Sequence, residues 1–362
     1  MPKNASYFSN ILIAWYLHNK RSLPWRETKD PYHIWLSEIM LQQTRVAQGL
    51  PYYEKFVSAF PTVHNLAEAS EDTVLKLWQG LGYYSRARNL HATAEYISND
   101  RDGIFPNTYE ELLKLKGVGD YTASAIASIC FNLPTAVVDG NVYRVLARFF
   151  NIDTPINSSE GVKTFKKLAQ ELLDPNNPGE FNQAIMEFGA RQCAPQNPAC
   201  TTCVLNDKCL AFQKKKVKEL PVKIRKNAVK KRYFNYLVFI SDDQKTILQQ
   251  RVKRGIWQQL FEFPLIETDT LISIAELRKN DHFKELTRTQ DVLDINLYNN
   301  TPIIHKLSHR HLHTQFWILN IAPHPKGGIP IWKIQDYAGP GLICNFVSVS
   351  YTHQTLPTTP YV

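Results

Sequence analysis

Four closely spaced cysteines are the first residues in this chain that could do chemistry. Cys193, Cys200, Cys203 and Cys209 follow the pattern C-x6-C-x2-C-x5-C. Four thiolates so close together can enclose one metal centre, either a cubane iron–sulfur cluster or a tetrahedral zinc. Zinc sites usually arrive as two C-x2-C pairs, and this run holds one such pair. Cys130 and Cys344 lie outside the run and read as buried small hydrophobes.

The second candidate is Leu115-Lys116-Gly117-Val118-Gly119-Asp120-Tyr121-Thr122-Ala123. A helix ends, two glycines turn the chain, and an alanine-rich helix begins. Gly117 and Gly119 permit positive φ and let backbone N–H groups approach a phosphate, where the helix N-terminus adds its positive dipole end. By itself such a turn is an ordinary way to join two helices. Farther on, Val138-Asp139-Gly140-Asn141 sets a carboxylate before another helix. The run Leu36-Ser37-Glu38-Ile39-Met40-Leu41-Gln42-Gln43-Thr44 supplies Glu38 within an apolar helix, and periodicity alone turns Glu38 toward solvent. His305, His309, His311 and His313 alternate as on a strand and read as surface or phosphate contacts rather than as a metal site.

The elements that must carry these residues divide the chain. Residues 1–213 read as helix after helix. Phe8, Ile11, Leu12, Trp15 and Tyr16 form an apolar stripe. Asp30-Pro31 is a cap and first-turn proline opening a helix through about Val46. Thr108-Tyr109-Glu110-Glu111 is a capping box, and the hairpin covers about 112–131. Val142, Val145, Leu146 and Phe149 mark another helical face, as do Val162, Phe165, Ala169, Leu172 and Leu173. From Lys214 to Arg232 there are ten basic residues and one acidic one, so 214–231 reads as a linker, either a solvated, partly mobile tether or a dedicated DNA contact. Beyond it the pattern is mixed: Tyr236, Val238 and Ile240 alternate, with further strands expected at 246–250, 256–263, 303–307 and 314–321 and a helix at 272–279. Residues 232–347 therefore read as a small α+β domain. Residues 348–362 show no period and read as a tail of uncertain origin.

Composition sets the bounds. A chain of 362 residues exceeds one typical core, so two domains, or three small ones, are expected. Net charge is +9 and the pI about 9.1, which favours a polyanionic partner. No apolar run approaches the roughly 20 residues of a membrane span. Met1-Pro2-Lys3-Asn4 shows no secretory signal, and the cysteine usage suits a reducing cytoplasm.

The cysteine run resembles the cluster loop of the endonuclease III superfamily of DNA glycosylases, which implies a 4Fe–4S cluster. The glycine turn followed by Asp139 is similar to that superfamily's helix-hairpin-helix and catalytic aspartate. Strand-cleaving members carry a lysine at the start of the second hairpin helix, and this chain has Tyr121 there. Without an amine, Schiff-base chemistry is disfavoured. The run around Glu38, together with Gly80-Leu81-Gly82-Tyr83-Tyr84-Ser85-Arg86-Ala87-Arg88 and Phe181-Asn182-Gln183, resembles the MutY family of adenine DNA glycosylases. Gly255-Ile256-Trp257-Gln258-Gln259-Leu260-Phe261-Glu262-Phe263-Pro264 is similar to that family's Nudix-type module. Glu267 and Glu276 are scattered and no R-E-x-x-E-E run exists, so the module reads as a binding domain rather than a hydrolase. Leu307-Ser308-His309 falls where the family has its 8-oxoguanine-reading loop, with Leu307 in place of the usual Phe.

The resemblance implies a multidomain chain: an all-α helix-hairpin-helix glycosylase domain with a cluster loop at 193–209, plus an α+β Nudix-like recognition domain. It implies removal of adenine opposite 8-oxoguanine or guanine in double-stranded DNA, by a monomer associated with the nucleoid. Adenine must be flipped out of the stack at a cost of a few kcal/mol. Gln43, Thr44, Tyr83, Arg86, Gly117, Gly119, Gln183, Ser308 and His309 are the implied DNA contacts. Glu38 is the implied acid toward adenine N7 and Asp139 the anion facing the sugar, as in two-carboxylate glycoside hydrolysis, with Tyr121 and Asn141 orienting them. Two other readings are a strand-cleaving enzyme, opposed by Tyr121, and a non-catalytic DNA-binding module, opposed by the presence of both carboxylates.

Overall fold

The computed structural model describes residues 5–224, 229–322, 325 and 327–354. The N-terminal four residues, 225–228 within the basic linker, and the end of the tail from 355 onward lie outside them. The chain divides into two compact units. One runs to Glu68 and resumes at Asn89; the other joins Ala69–Arg88 to the chain beyond the linker.

Helices α1 (Ala5–Asn19), α2 (Pro31–Leu41), α3 (Val46–Ala59), α4 (Val63–Glu68), α5 (Glu71–Leu77), α6 (Ser85–Asp100), α7 (Tyr109–Leu112), α8 (Asp120–Phe131), α9 (Gly140–Phe150), α10 (Ser159–Leu172), α11 (Pro178–Arg191) and α12 (Leu210–Gln213) follow in order. The α2 start is as read: Asp30 Oδ1 accepts from the Tyr32 amide at 2.8 Å and Pro31 fills the first turn. Its end is not. The helix stops at Leu41 because Gln43 takes a left-handed φ of 56°, and a new helix begins at Val46. The first unit's core joins Phe8, Leu12 and Tyr16 of α1 to Val145 and Phe149 of α9, Phe165 of α10, and Phe181 and Phe188 of α11.

The basic linker is not a free tether over its first part. Leu220 is buried in that core. Arg148 Nε donates to the Leu220 carbonyl at 3.1 Å, the Ile156 amide donates to the Val222 carbonyl at 3.0 Å, and Asn157 bonds both backbone groups of Ile224. Charge density alone suggested a solvated run, but its apolar residues, spaced among the lysines, find the core.

The second unit is built on β1 (Lys230–Ser241), with β2 (Lys245–Thr246), β3 (Gln249–Gln250), β4 (Phe261–Glu262), β5 (Leu265–Thr268), α13 (Ile274–Lys279), α14 (Asp281–Thr287), β6 (Asp291–Leu297), β7 (Ile303–Lys306), β8 (Arg310–Ala322), β9 (Ile329–Pro330) and α15 (Gly341–Gln354). The main sheet runs β5-β1-β8-β6, with β7 also on β8; β1 and β8 pair in parallel and the rest antiparallel. Phe234, Tyr236, Val238 and Phe316 face one core, and Leu237, Phe239, Trp317 and Leu319 the other. The expected alternation at Tyr236, Val238 and Ile240 is thus one face of a strand buried on both sides.

Two expectations fail here for local reasons. Of 256–263, only Phe261–Glu262 is a strand, because Trp257 and Gln259 adopt φ of 58° and 67° and turn the chain. The stretch from 348 to 354 is no tail: it completes α15, whose Leu342, Ile343 and Phe346 sit on the first sheet core. Phe346 stacks on Phe316 with centroids 4.0 Å apart and planes 5° from parallel. Strand β6 was not foreseen, since acidic residues and asparagine interrupt its apolar ones and a register shift lies between Val292 and Asp294.

Truncating a buried phenylalanine to alanine typically costs 3–5 kcal/mol. Phe346→Ala should therefore destabilise the second unit by about that free energy, read as a lower urea midpoint for its transition. The first unit's transition should not move, and an unchanged second transition would show that α15 adds nothing to that core.

Candidate active site

Glu38 lies on α2 between Trp35, Ile39 and Met40, all buried. Contrary to its periodicity, Glu38 is itself only 8% exposed. Its helix is apolar all round, so no face was free to turn it outward. Burial pushes its carboxyl up to about 7, against a hydrogen bond from the Tyr121 hydroxyl, and the negative charge of Asp139 adds to the rise. Tyr121 Oη also sits 3.1 Å from Met186 Sδ. The hydroxyl has one proton for two acceptors. Toward an ionised Glu38 it donates to the carboxylate; a protonated Glu38 can donate to the tyrosine, which then turns to the sulfur.

Asp139 is the N-cap of α9. Its Oδ1 accepts from the Asn141 and Val142 amides at 2.8 Å each, and its Oδ2 from Asn141 Nδ2 at 2.7 Å. Burial raises this carboxyl, while those three bonds and the nearby Arg144 guanidinium pull it back toward the ionised form. Asn141 is held in turn by Arg144 Nη2, 2.8 Å from its Oδ1. Helix α11 closes on this point: a Cβ at Gly189 would lie 2.7 Å from Asn141 Cβ, so only glycine fits.

Glu38, Tyr121, Asp139, Asn141 and Gln183 line one cleft of about 430 Å³ in the first unit, within the usual range for small-molecule sites. Gln183 Oε1 accepts from the Tyr16 hydroxyl at 3.1 Å. Among its described lining residues there are four arginines and no lysine. The reading of the sequence missed Glu187, Arg21 and Arg26, which line the same cleft. Arg21 grips Glu187 with two side-chain bonds, at 2.7 and 2.5 Å, and Arg26 adds a third at 2.8 Å. Burial alone would raise Glu187, but these arginines outweigh it and hold the carboxyl at about 2. The only signal available was basic residues at 21 and 26 far in sequence from the glutamate they meet.

The hairpin is the turn from α7 to α8. Gly117 takes φ of +81° and a Cβ there would meet Asn89 at 2.8 Å, so glycine is required; Gly119 caps α8. Both glycines are exposed, as are Gln43 and, on the second unit, Ser308 and His309. Thr44 lines the cleft. Tyr83, also on the second unit and with φ of 49°, bonds Ser308 Oγ through its hydroxyl at 2.6 Å. Arg86 is turned inward to the carbonyls of Leu81 and Gly82, over the Trp78 ring. Leu307 packs against the sheet core. The histidines do not converge: His305 lies across from Leu312 and edge-on to Trp257, while His313 faces Tyr233. Glu267 pairs with Arg232, and Glu276 completes a capping box with Ser273.

Cys193, Cys200, Cys203 and Cys209 all line a second cavity of the first unit, at the far end of α9. Burial raises Cys203 to about 11, with the other three thiols adding to the rise, so four thiolates here call for a cation among them. Donors are in place: Arg148 Nη1 lies 3.4 Å from Cys193 Sγ, and the Leu205 amide 3.4 Å from Cys203 Sγ. Among the described residues, no three acidic, histidine or cysteine side chains gather tightly enough to ligate one ion.

Helices, hairpin and cleft together define a class of protein. Residues 36–174 match the HhH-GPD superfamily base excision DNA repair proteins, and 235–343 match the NUDIX domain. A solved thermostable thymine-DNA glycosylase superposes with a TM-score of 0.54 at 30% identity, covering 59% of this chain and 98% of its own. An endonuclease III–DNA complex does so at 0.52 and 21% identity, over the same shares, and shows the shared fold. The adenine DNA glycosylase of Buchnera aphidicola subsp. Baizongia pistaciae (strain Bp) is 36% identical over 315 residues, 86% of each chain. That of Rattus norvegicus is 46% identical over 216 residues, 57% of this chain and 42% of the other. The chain belongs to the adenine DNA glycosylase family.

The raised Glu38 carboxyl has a consequence for stability. The fold binds a proton there that the unfolded chain releases near 4.5, so stability falls as pH rises from about 4.5 to 7 and is flat beyond. At 1.36 kcal/mol per unit the full difference is about 3 kcal/mol. Glu38→Gln should melt higher than the parent at pH 8, with the gap closing toward pH 5. A gap that does not vary with pH would mean Glu38 ionises normally.

Proposed function

We propose that this enzyme removes adenine mispaired with 8-oxoguanine or guanine from duplex DNA by hydrolysis and leaves the strand uncut. The observation that carries the reading is the pairing in one cleft of a carboxyl held near neutrality with a second carboxyl bonded by three donors, and no lysine among the described lining residues.

The proton on Glu38 goes to N7 of the flipped adenine. The C1′–N9 bond then breaks with its electron pair leaving on the base, and positive charge develops on the sugar. Asp139 faces that charge, stabilising it or trapping it covalently before water completes the hydrolysis. As Glu38 becomes an anion, Tyr121 swings its proton from the Met186 sulfur to the carboxylate. Asn141, braced by Arg144, keeps Asp139 aimed. Glu187, fixed as an anion by Arg21 and Arg26, offers an acceptor to the adenine amino group, and Gln183 a second polar contact.

Duplex binding follows from the basic chain and the hairpin's backbone N–H groups at Gly117 and Gly119. Gln43 and Tyr83, each exposed and in left-handed conformation, are the side chains we assign to filling the vacated stack. Arg86 supports Tyr83's turn rather than reaching outward. The enzyme works as a single chain on chromosomal DNA in the cytoplasm. Ser308 and His309 read the opposite base: 8-oxoguanine carries an N7 donor that guanine lacks, and Ser308 accepts from it. The four cysteines hold a 4Fe–4S cluster, which when bound supplies a structural anchor for their loop.

Incubating the enzyme with duplexes holding adenine opposite 8-oxoguanine or opposite guanine should give strand breaks only after alkali. Asp139→Asn and Glu38→Gln should each slow single-turnover base release by at least about 10²-fold, the scale of general acid–base catalysis, while duplex affinity stays near the parent's. Ser308→Ala should lose about tenfold of the preference for 8-oxoguanine, as one polar base contact is worth 1–3 kcal/mol. Breaks without alkali would overturn the hydrolytic reading.

The protein isolated without oxygen should be brown and carry about four irons per chain, as four-thiolate clusters do. Stoichiometric zinc without iron would replace the cluster by a single ion.

A further inference from the structure

The backbone that delivers Asp139 has no strand or helix to hold it. Residues 132–139 form no regular structure, yet Ala136 and Val137 are buried. Side chains from two helices take the place of a pairing strand. Gln170 of α10 donates to the Pro134 carbonyl at 2.7 Å and accepts from the Ala136 amide at 3.0 Å. Asn182 of α11 donates to the Thr135 carbonyl at 2.8 Å and accepts from the Val137 amide at 3.1 Å. The remaining carbonyl, that of Ala136, accepts from Lys166 Nζ at 2.7 Å.

Lys166 differs from the two amides because it reaches elsewhere as well. Its ammonium also lies 2.9 and 3.0 Å from the two Asp120 carboxylate oxygens and 3.1 Å from Ser124 Oγ. Asp120 is the first residue of α8, and the Tyr109 hydroxyl of α7 donates to it at 2.5 Å. One cation therefore joins both helices of the hairpin to the peptide three residues before Asp139. It also neutralises a carboxylate at a helix start that must meet phosphate.

We propose that Lys166 is a positioning residue: it sets the place of Asp139 in the cleft through the hairpin and screens Asp120 from the DNA backbone. The proposal rests on the reading of Asp139 as the carboxylate that faces the sugar and of the hairpin as the phosphate grip. It requires two separable effects. One is electrostatic and appears in affinity. The other is geometric and appears in the chemical step, because an ångström of misplacement can cost about 100-fold in rate.

The test uses the full-length enzyme with a duplex holding adenine opposite 8-oxoguanine. Affinity is measured by titration at low salt, and base release by single turnover at saturating enzyme. Lys166→Met should weaken binding about fivefold to tenfold, as an unpaired anion beside phosphate would at low salt. It should also slow base release by 10- to 100-fold. Adding Asp120→Asn to Lys166→Met should restore the affinity and leave the rate low. Lys166→Arg, which keeps the charge but not a compact ammonium, should keep the affinity and lose rate. It serves alone if the methionine variant does not fold. Full rate in Lys166→Arg, or recovery of both quantities in the double variant, would reduce Lys166 to a charge neutraliser and overturn the proposal. Asp139→Asn in the same assay separates the two levels. If it is inactive while the Lys166 variants are fast, only the proposal fails; if it is active, the reading of Asp139 fails and takes the proposal with it.

Discussion

The first unit depends on how α9 begins. A helix start leaves backbone N–H groups without partners, and here the Asp139 carboxylate satisfies two of them while its other oxygen takes the Asn141 side chain. That cap fixes where the helix starts and hence where every residue along it points. Arg144, one turn on, bonds Asn141, the Gly189 carbonyl and the Cys193 carbonyl; Arg148, a turn further, bonds the carbonyls of Ala194, Pro195 and Leu220. One helix therefore ties a candidate catalytic carboxylate, the entry to the cysteine loop and the start of the linker into a single register. Both arginines are buried, and each is surrounded by carbonyl oxygens rather than by a full carboxylate partner.

Three carboxylates share the cleft, and the fold treats each differently. Glu38 sits among aromatic and aliphatic side chains and holds its proton to about 7. Glu187 is enclosed by two guanidinium groups and stays ionised to about 2. Asp139 is raised above the usual aspartate range by burial, which three hydrogen-bond donors and the charge of Arg144 oppose. Three different protonation behaviours thus come from one functional group type. Desolvation, charge pairing and hydrogen bonding separate them. Asp139 reinforces the division, because its negative charge raises Glu38 further.

Much of this was legible in the sequence where local rules operate. The cap at Asp30, the glycine turn, the helix after Asp139 and the cysteine spacing are all short-range signals. What stayed hidden depended on residues far apart in the chain. Glu187 is unremarkable until Arg21 and Arg26 close on it from more than 160 positions away. The grip of Lys166, Gln170 and Asn182 on the segment before Asp139 cannot be read from periodicity, because polar residues on an amphipathic helix ordinarily face water. Periodicity taken alone put Glu38 outside, and only the motif around it, with Trp35, Ile39 and Met40 on its helix, pointed to a buried carboxyl. Strand β6 and the end of α15 were missed because tertiary partners, rather than their own patterns, decide them.

The makeup of the second unit constrains the order in which the protein can be made. Its central pair, β1 with β8, joins residues 80 positions apart along the whole register, from Lys230 with Arg310 to Ser241 with Ile321. The unit also claims Ala69–Arg88, which meets the chain again near its end: Tyr84 Oη donates to the Gly339 carbonyl and Lys76 Nζ to that of Tyr337. During synthesis, Lys76 and Tyr84 leave the ribosome long before Tyr337 and Gly339 do. Most of the helical unit can condense at once, but these two bonds must wait until the end of the chain is made. A long sequence separation of this kind slows folding.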